Sequence, residues 1–433
     1  MQIIERLKLI IKKKALHQTG YVAAGSLING LSLFALNIAL ARFLDQELFG
    51  IFSLSVVALS VVAEMSDFGL NAGLIRFAPY YIATNQTDKL KQLVKTIWRW
   101  RVGLTWFLTV GGLIFAYPVA RYVYGQVKVG PYLTYASFGI GGVILLGFLA
   151  TFLQANQRFL YNASVQSLKG FLRLAAVLVL MVFGVKSVFA YLSVYIFVPW
   201  ILFISNFKVL PENFRKVEIN EDVRQKLHSQ LAKFSFWLTI ASLTAILSSR
   251  VDQIMISHYL GLVDVAVFTV AWQLLQFFPV ISNSVSSVLM PKISGLKNKT
   301  ELAVFVKRAF KWTLAGTLGI AILVYPSQYL ISFFFGQKYD AAMPVYTILA
   351  YSTLLGFLSI PFSLAIMVFN KTHLSTIFVF AQLLVNVIGN FIFIPLYGIV
   401  GAAYVYAISG VMLFMWNLAW ALYLLKNKDF SIA

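Results

Sequence analysis

The sequence predicts an all-α integral membrane protein of twelve transmembrane helices, arranged as two six-helix lobes related by a pseudo-two-fold axis along the membrane normal. Three observations carry this prediction. Hydrophobic residues make up 60% of the 433 and charged residues only 12%, with a mean hydropathy of +0.81, far from the balance of a water-soluble domain. Charge-free runs recur at the length of a bilayer span. Lys and Arg gather in alternate loops, as the cytoplasmic side of a membrane protein requires.

The chain opens with MQIIERLKLIIKKKALHQTGY, a basic stretch with no small-residue cleavage site before the first span, so it reads as retained. Ile3, Leu7 and Ile10 have the spacing of an interfacial amphipathic helix; a frayed tail fits the same residues. Runs 15–41, 102–120, 129–157, 187–207, 265–291, 312–337 and 341–370 each hold one span. The run 372–425 holds two, hinged at Pro395-Leu396-Tyr397-Gly398. Three further segments reach spanning length only by including charge: 48–70 with Glu64 and Asp67, 163–185 with Lys169 and Arg173, and 234–260 with Arg250 and Asp252.

The alternation of basic residues requires all three. With twelve spans, 26 of the 35 Lys and Arg fall in one set of loops and termini and five in the other; omitting any interrupted span scrambles this asymmetry. Both termini are therefore expected in the cytoplasm, and the protein in the plasma (inner) membrane as a multi-pass chain. The expected organisation is a cytoplasmic amino-terminal segment 1–19, an amino-terminal lobe 20–208, a cytoplasmic linker 209–232, a carboxyl-terminal lobe 233–425 and a cytoplasmic tail 426–433.

A net charge of +20 and a pI near 9.9 do not point to nucleic acid, because most of the positive charge is topological. Membrane lipids with anionic headgroups are the natural partner at the inner face. The chain has no cysteine, which removes disulfides, thiol nucleophiles and Cys-ligated metals. No metal site or cofactor is expected.

The lobes read as a repeat. At an offset of 216, Arg42-Phe43-Leu44 and Gly50-Ile51-Phe52-Ser53-Leu54 face His258-Tyr259-Leu260 and Ala266-Val267-Phe268-Thr269-Val270, and Arg76 faces Lys292. At 213, Asn156-Gln157-Arg158 faces Phe369-Asn370-Lys371. Six spans per half make the repeats parallel, an architecture in which two bundles rock about a site near the midplane.

Polar residues fall on stripes. Between Arg173 and Lys186 lie twelve uncharged residues, roughly 18 Å of helix against a hydrocarbon core of about 30 Å, so Lys169 and Arg173 must lie at membrane depth. Asn162, Gln166, Lys169 and Arg173 step by four, three and four, and so share one helix face. Their repeat counterparts include Gln382 and Asn386, continued by Asn390. In the second span the stripe is Ser60, Glu64, Asp67 and Asn71, answered in the eighth by Gln276, Asn283 and Ser287. Such faces turn away from lipid.

Two accounts fit the charges. Lys169 and Arg173 either form a buried ionic lock with Glu64 and Asp67 or remain available to an anion. Gln276, Asn283, Gln382 and Asn386 either contact cargo or, with Asn390, join helices, at about 0.6 kcal/mol each. Arg250 and Asp252 suit a mouth or gate pair, or a local pair. Arg101, near the cytoplasmic end of the third span, is expected to snorkel. Glu64, Asp67 and Asp252 are the candidate ion-coupling or ion-pair residues, with a proton or sodium gradient as the energy source.

The run NIALARFLDQELFGIFSLSVVALSVVAEMSDFGLNAGLIRFAP, Asn37 to Pro79, resembles the first helical hairpin of bacterial polysaccharide-unit flippases, in the multidrug/oligosaccharidyl-lipid/polysaccharide exporter superfamily. Arg250-Val251-Asp252-Gln253 through Leu260-Gly261 and Ala266-Val267-Phe268-Thr269-Val270-Ala271 is similar to the family's seventh-helix hairpin. The resemblance implies a transporter that turns a polyprenyl-diphosphate-linked oligosaccharide from the inner to the outer leaflet by alternating access, in company with other polysaccharide-assembly proteins. On that reading Lys169 and Arg173 hold the diphosphate with Arg250 near the exit, Gln166 lies on the same binding stripe, and the opposite amides Gln276, Asn283, Gln382 and Asn386 contact sugar hydroxyls. The alternative within the superfamily is a multidrug exporter, although Asn29 and Asn37 stand in the first span where proton-coupled drug exporters often carry an acid. A membrane polymerase or ligase is a third reading, opposed by short outer loops and by four histidines (His17, His228, His258 and His373) without an acid at motif spacing. There is no phosphate-cradling GxxxxGK[ST] loop either. No enzymatic activity is expected.

Overall fold

The computed structural model describes residues 2–216, 221–294, 296, 298–369 and 372–427. Residues 217–220 of the expected linker, 428–433 of the expected tail and the side chains of Ile3, Leu7 and Ile10 lie outside that description. Among the described residues all regular structure is helical. The chain is a multi-pass membrane protein: ten helices are long and apolar enough to cross a bilayer, eleven when the bent pair Val127–Ser137 and Gly139–Ala155 is taken as one. The remaining expected span, 234–260, lies in the continuous helix Glu221–Tyr259, where the side chains of residues 221–238 are outside the description.

Two compact units divide the chain, Met1–Tyr122 with Val127–Leu243, and Val123–Gln126 with Thr244–Ala433. The first contains α1 (Gln2–Phe43), α2 (Gln46–Met65), α3 (Leu70–Ala83), α4 (Thr87–Pro118), α5 (Gly130–Ser137), α6 (Gly139–Ala155), α7 (Phe159–Val182) and α8 (Val188–Ser205). The chain passes into the second unit within α9 (Glu221–Tyr259). There follow α10 (Leu262–Leu275), α11 (Phe277–Ser294), α12 (Lys299–Ser327), α13 (Leu330–Phe335), α14 (Ala342–Leu358), α15 (Ile360–Val368), α16 (Thr372–Tyr397) and α17 (Ile399–Asn427). The repeat read from the sequence recurs in this succession. In each unit the second and fourth members are interrupted, α2/α3 and α5/α6 in the first, α10/α11 and α14/α15 in the second.

In the first unit α6 is buried nearly all round, and Leu59, Ala63, Ala136, Ile140 and Ile144 form a core where α2, α5 and α6 meet. By contrast α4 leaves Trp106 and Phe107 about 70% exposed, at 72% and 69%, as a lipid-facing surface does. Helix α7 lies against α1 closely enough that a Cβ on Gly170 would meet the Asn29 backbone at 3.0 Å, the small-residue contact by which helices approach in lipid. The second unit builds its core from Ile293, Leu302, Val306, Phe362, Ala365 and Ala421, on α11, α12, α15 and α17.

One expected span is shorter than read. The segment 48–70 stops as a helix at Met65, and the chain then turns through Phe68 and Gly69, both left-handed at φ 43° and 68°. Glycine adopts that conformation without a Cβ clash. Asp67 therefore sits in a turn and not on the helical stripe assigned to it.

Candidate functional site

Helix α7 carries the cationic stripe into the interior of the first unit. Arg173 is 8% exposed. Its guanidinium stacks over the ring of Tyr195 on α8, 4.2 Å from the centroid, and donates to the Tyr195 carbonyl at 3.4 Å. Its Nε has no hydrogen-bond partner. One turn earlier, the half-buried Lys169 donates to Gln166 Oε1 at 2.7 Å. Asn162, at the start of the stripe, is buried with its Oδ1 unpartnered.

The ionic lock considered for this stripe does not form. Among the described residues neither Lys169 nor Arg173 meets a carboxylate, and Asp67 pairs instead with Arg101 of α4 at 2.5 Å. Arg101 does not snorkel. It is 2% exposed and donates to the Ser66 carbonyl (3.3 Å), to Asp67 Oδ1 and to Asn71 Oδ1 (2.8 Å). Asp67 also accepts the Asn71 backbone N–H at 3.2 Å. The interrupted end of α2 is thus stitched to α4 by one guanidinium. Glu64 is exposed.

The second unit gathers its polar groups around an acid. Asp252 on α9 is 3% exposed and accepts from Asn390 Nδ2 of α16 at 2.5 Å. Asn390, fully buried, also donates to Asn386 Oδ1 at 2.7 Å, and Asn386 donates to the Ser248 carbonyl at 3.5 Å. The adjacent Gln253 donates to Thr269 Oγ1 at 3.2 Å. The side-chain oxygens of Gln253 and Asn390 have no donor. A lone carboxylate among amide and hydroxyl oxygens is the donor chemistry of a small hard cation. Among the described residues no cationic side chain pairs with it: Arg250, two residues away, is half-buried and makes no ion pair with Asp252, so the pair considered for these two does not form.

The other amides lie apart from these clusters. Gln276 caps α10 at its break and is exposed, as is Asn283 on α11. Gln382 is half-buried on α16, one turn before Asn386. Sequence reasoning missed Arg101, Tyr195, Ser248 and Thr269 as partners.

Known proteins can now be set beside this arrangement. A family model described as polysaccharide biosynthesis protein matches residues 15–297. The chain belongs to the polysaccharide biosynthesis protein family. Residues 238–392 of this family member also match the model described as MatE. An uncharacterized membrane protein of Methanocaldococcus jannaschii is 25% identical over 375 residues, covering 82% of this chain and 73% of that protein. Solved structures share the fold. The lipid II flippase MurJ in an inward closed conformation has a TM-score of 0.71 at 15% identity, over 92% of this chain and 86% of its own. An inward-facing multidrug resistance MATE family transporter of the same superfamily has a TM-score of 0.76 at 13% identity, over 94% and 100%. The superfamily read from Asn37–Pro79 and Arg250–Ala271 is therefore the one to which the fold corresponds.

Proposed function

We propose that the protein flips a polyprenyl-diphosphate-linked oligosaccharide from the inner to the outer leaflet of the plasma membrane by alternating access. The observation that carries this reading is the pair of cations on α7 without an acid. An ionised side chain held at membrane depth without a counter-ion is costly, and a guanidinium fixed by a ring face and one carbonyl keeps N–H donors available for phosphate oxygens. Lys169, less deeply buried, is the first contact for the headgroup, and Arg173 is the deeper one. Gln166, Gln382 and the exposed Gln276 and Asn283 suit sugar hydroxyls, with Arg250 at the far end of α9. The Asp252 cluster handles the coupling cation. Separate sites of opposite sign let an inward cation gradient drive an anionic cargo without the two charges neutralising each other.

Purified chain in vesicles, supplied with polyprenyl-diphosphate-linked oligosaccharide, tests this. Lys169→Ala combined with Arg173→Ala is expected to slow translocation by at least about thirtyfold, the equivalent of about 2 kcal/mol for truncating a buried charge contact. Translocation at the parental rate would overturn the assignment. The lone carboxylate of Asp252 favours one second reading, export of a cationic compound; drug efflux without sugar flipping in the same vesicles would establish it.

A further inference from the structure

The first unit holds a second basic site, away from the stripe on α7. Beyond α8 the chain makes a 3-10 turn at Phe207–Val209 and then a tight turn in which Asn213 is left-handed at φ 56°. Lys216 N–H closes this turn onto the Asn213 carbonyl at 2.9 Å. The result folds Phe207 and Phe214 back onto Trp98 of α4, with ring centroids 5.6 and 6.0 Å from the indole. Phe203 of α8 stacks on the same indole at 5.9 Å.

Arg215 is mounted on these rings. Its guanidinium lies 4.4 Å from the centroid of Phe207, 4.9 Å from Trp98 and 5.8 Å from Phe214. Among the described residues no carboxylate pairs with it. Ring faces fix a guanidinium without using its planar fork of N–H donors, which matches phosphate geometry. Beside it a hollow of about 360 Å³ is lined by Lys208, Arg215 and Lys216, with Glu212 the one acid among the described lining residues. That volume falls within the roughly 300–1,000 Å³ of small-molecule sites.

Position specifies the ligand further. The apolar helix α8 ends at Ser205, so the hollow begins where acyl chains give way to headgroups, the level at which Trp residues such as Trp98 are enriched. We propose that this hollow seats the phosphate of an anionic glycerophospholipid, with Arg215 as the fixed donor and Lys208 and Lys216 as flanking cations. The cluster follows the end of α8 and shares no residue with the polar stripe of α7, which favours an abundant bilayer lipid over the transported cargo. Its aromatic floor favours a lipid over free phosphate. The inference is independent of which cargo the transporter carries.

Native mass spectrometry of the full chain in mixed micelles, with phosphatidylglycerol competing against phosphatidylcholine, tests it. Retention of phosphatidylglycerol is expected to fall about fivefold in Arg215→Gln and about twenty-five-fold in Lys208→Gln with Lys216→Gln, a lysine variant that leaves the aromatic cluster intact. Unchanged retention in the lysine variant would overturn the proposal. So would displacement of phosphatidylglycerol by an equal concentration of inorganic phosphate, which would mark a free-anion site, or by polyprenyl diphosphate, which would mark a cargo site.

Discussion

Helices α7 and α16 occupy corresponding places in the two units, and they handle buried polarity in opposite ways. At position 173 the first unit holds a guanidinium on a tyrosine ring, with no acid paired to it among the described residues. At the corresponding position 386 the second unit has an asparagine, and its charge is an acid on α9 reached through Asn390. An arginine presents only donors, so a ring face and a carbonyl can hold it while N–H groups remain available. A carboxylate presents only acceptors, so amide donors hold it while neighbouring oxygens remain unpartnered. The units therefore differ in sign, one suited to an anion and the other to a cation.

The sharpest contrast to Arg173 lies in its own unit. Arg101 is buried as deeply but has Asp67, Asn71 and the Ser66 carbonyl as acceptors. If Arg101 is a structural cation and Arg173 a functional one, Asp67→Asn leaves Arg101 uncompensated and lowers stability by about 3–5 kcal/mol. Denaturant unfolding in detergent measures this. A loss below about 1 kcal/mol would mean that the node at the end of α2 does not hold the unit together, and the distinction between the two arginines would fail.

These partnerships were unevenly legible. The spans stood out because lipid as solvent imposes long apolar runs, and the stripes followed from helical spacing. The expectation that Arg101 snorkels rested on its nearness to a membrane end. It overlooked that α3 and α4 form a hairpin about Thr84-Asn85-Gln86, which brings together residues placed about equally before and after the turn, such as Asp67 and Arg101. Arg173 and Tyr195 are related in the same way about Gly184, which has a left-handed φ of 68°. The contact of Asp252 with Asn390 has no such local signal. It was accessible only through the repeat: the approach of α7 to α1 at Gly170 and Asn29 in the first unit implies that α16 approaches α9 in the second. The break after Met65 was signalled by Gly69 alone, and one glycine in an apolar run does not distinguish a turn from close packing.

The second unit offers the next test. If Asp252 holds the coupling cation and that cation is sodium, sodium stabilises the parental chain by about 2.7 kcal/mol at a hundredfold excess over its dissociation constant. Asp252→Asn is nearly isosteric and keeps a partner for Asn390, so it should remove the sodium-dependent shift while leaving the sodium-free melting point close to the parental one. An undiminished shift in the variant would place the cation elsewhere and remove the asymmetry of sign from the mechanism.

The smallest expected effect on stability is the most informative about purpose. Arg173 has no acid to lose, so replacing it with a long apolar side chain removes a desolvated charge and strands no counter-charge. Arg173→Met should therefore leave stability unchanged or raise it by up to about 2 kcal/mol, because an arginine at the centre of a span costs about 2.5–3.5 kcal/mol and the lost hydrogen bond to the Tyr195 carbonyl offsets about 1 kcal/mol of that. Translocation should nevertheless fall as far as in the alanine variants. Methionine conserves the packing on Tyr195 and removes the charge together with the 3.4 Å hydrogen bond to the Tyr195 carbonyl. A more stable protein that no longer transports would mean that the charge is retained against the interest of the fold. A protein destabilised as strongly as Asp67→Asn would instead make Arg173 a structural tie between α7 and α8, and the anion would have to be held by Lys169 without it.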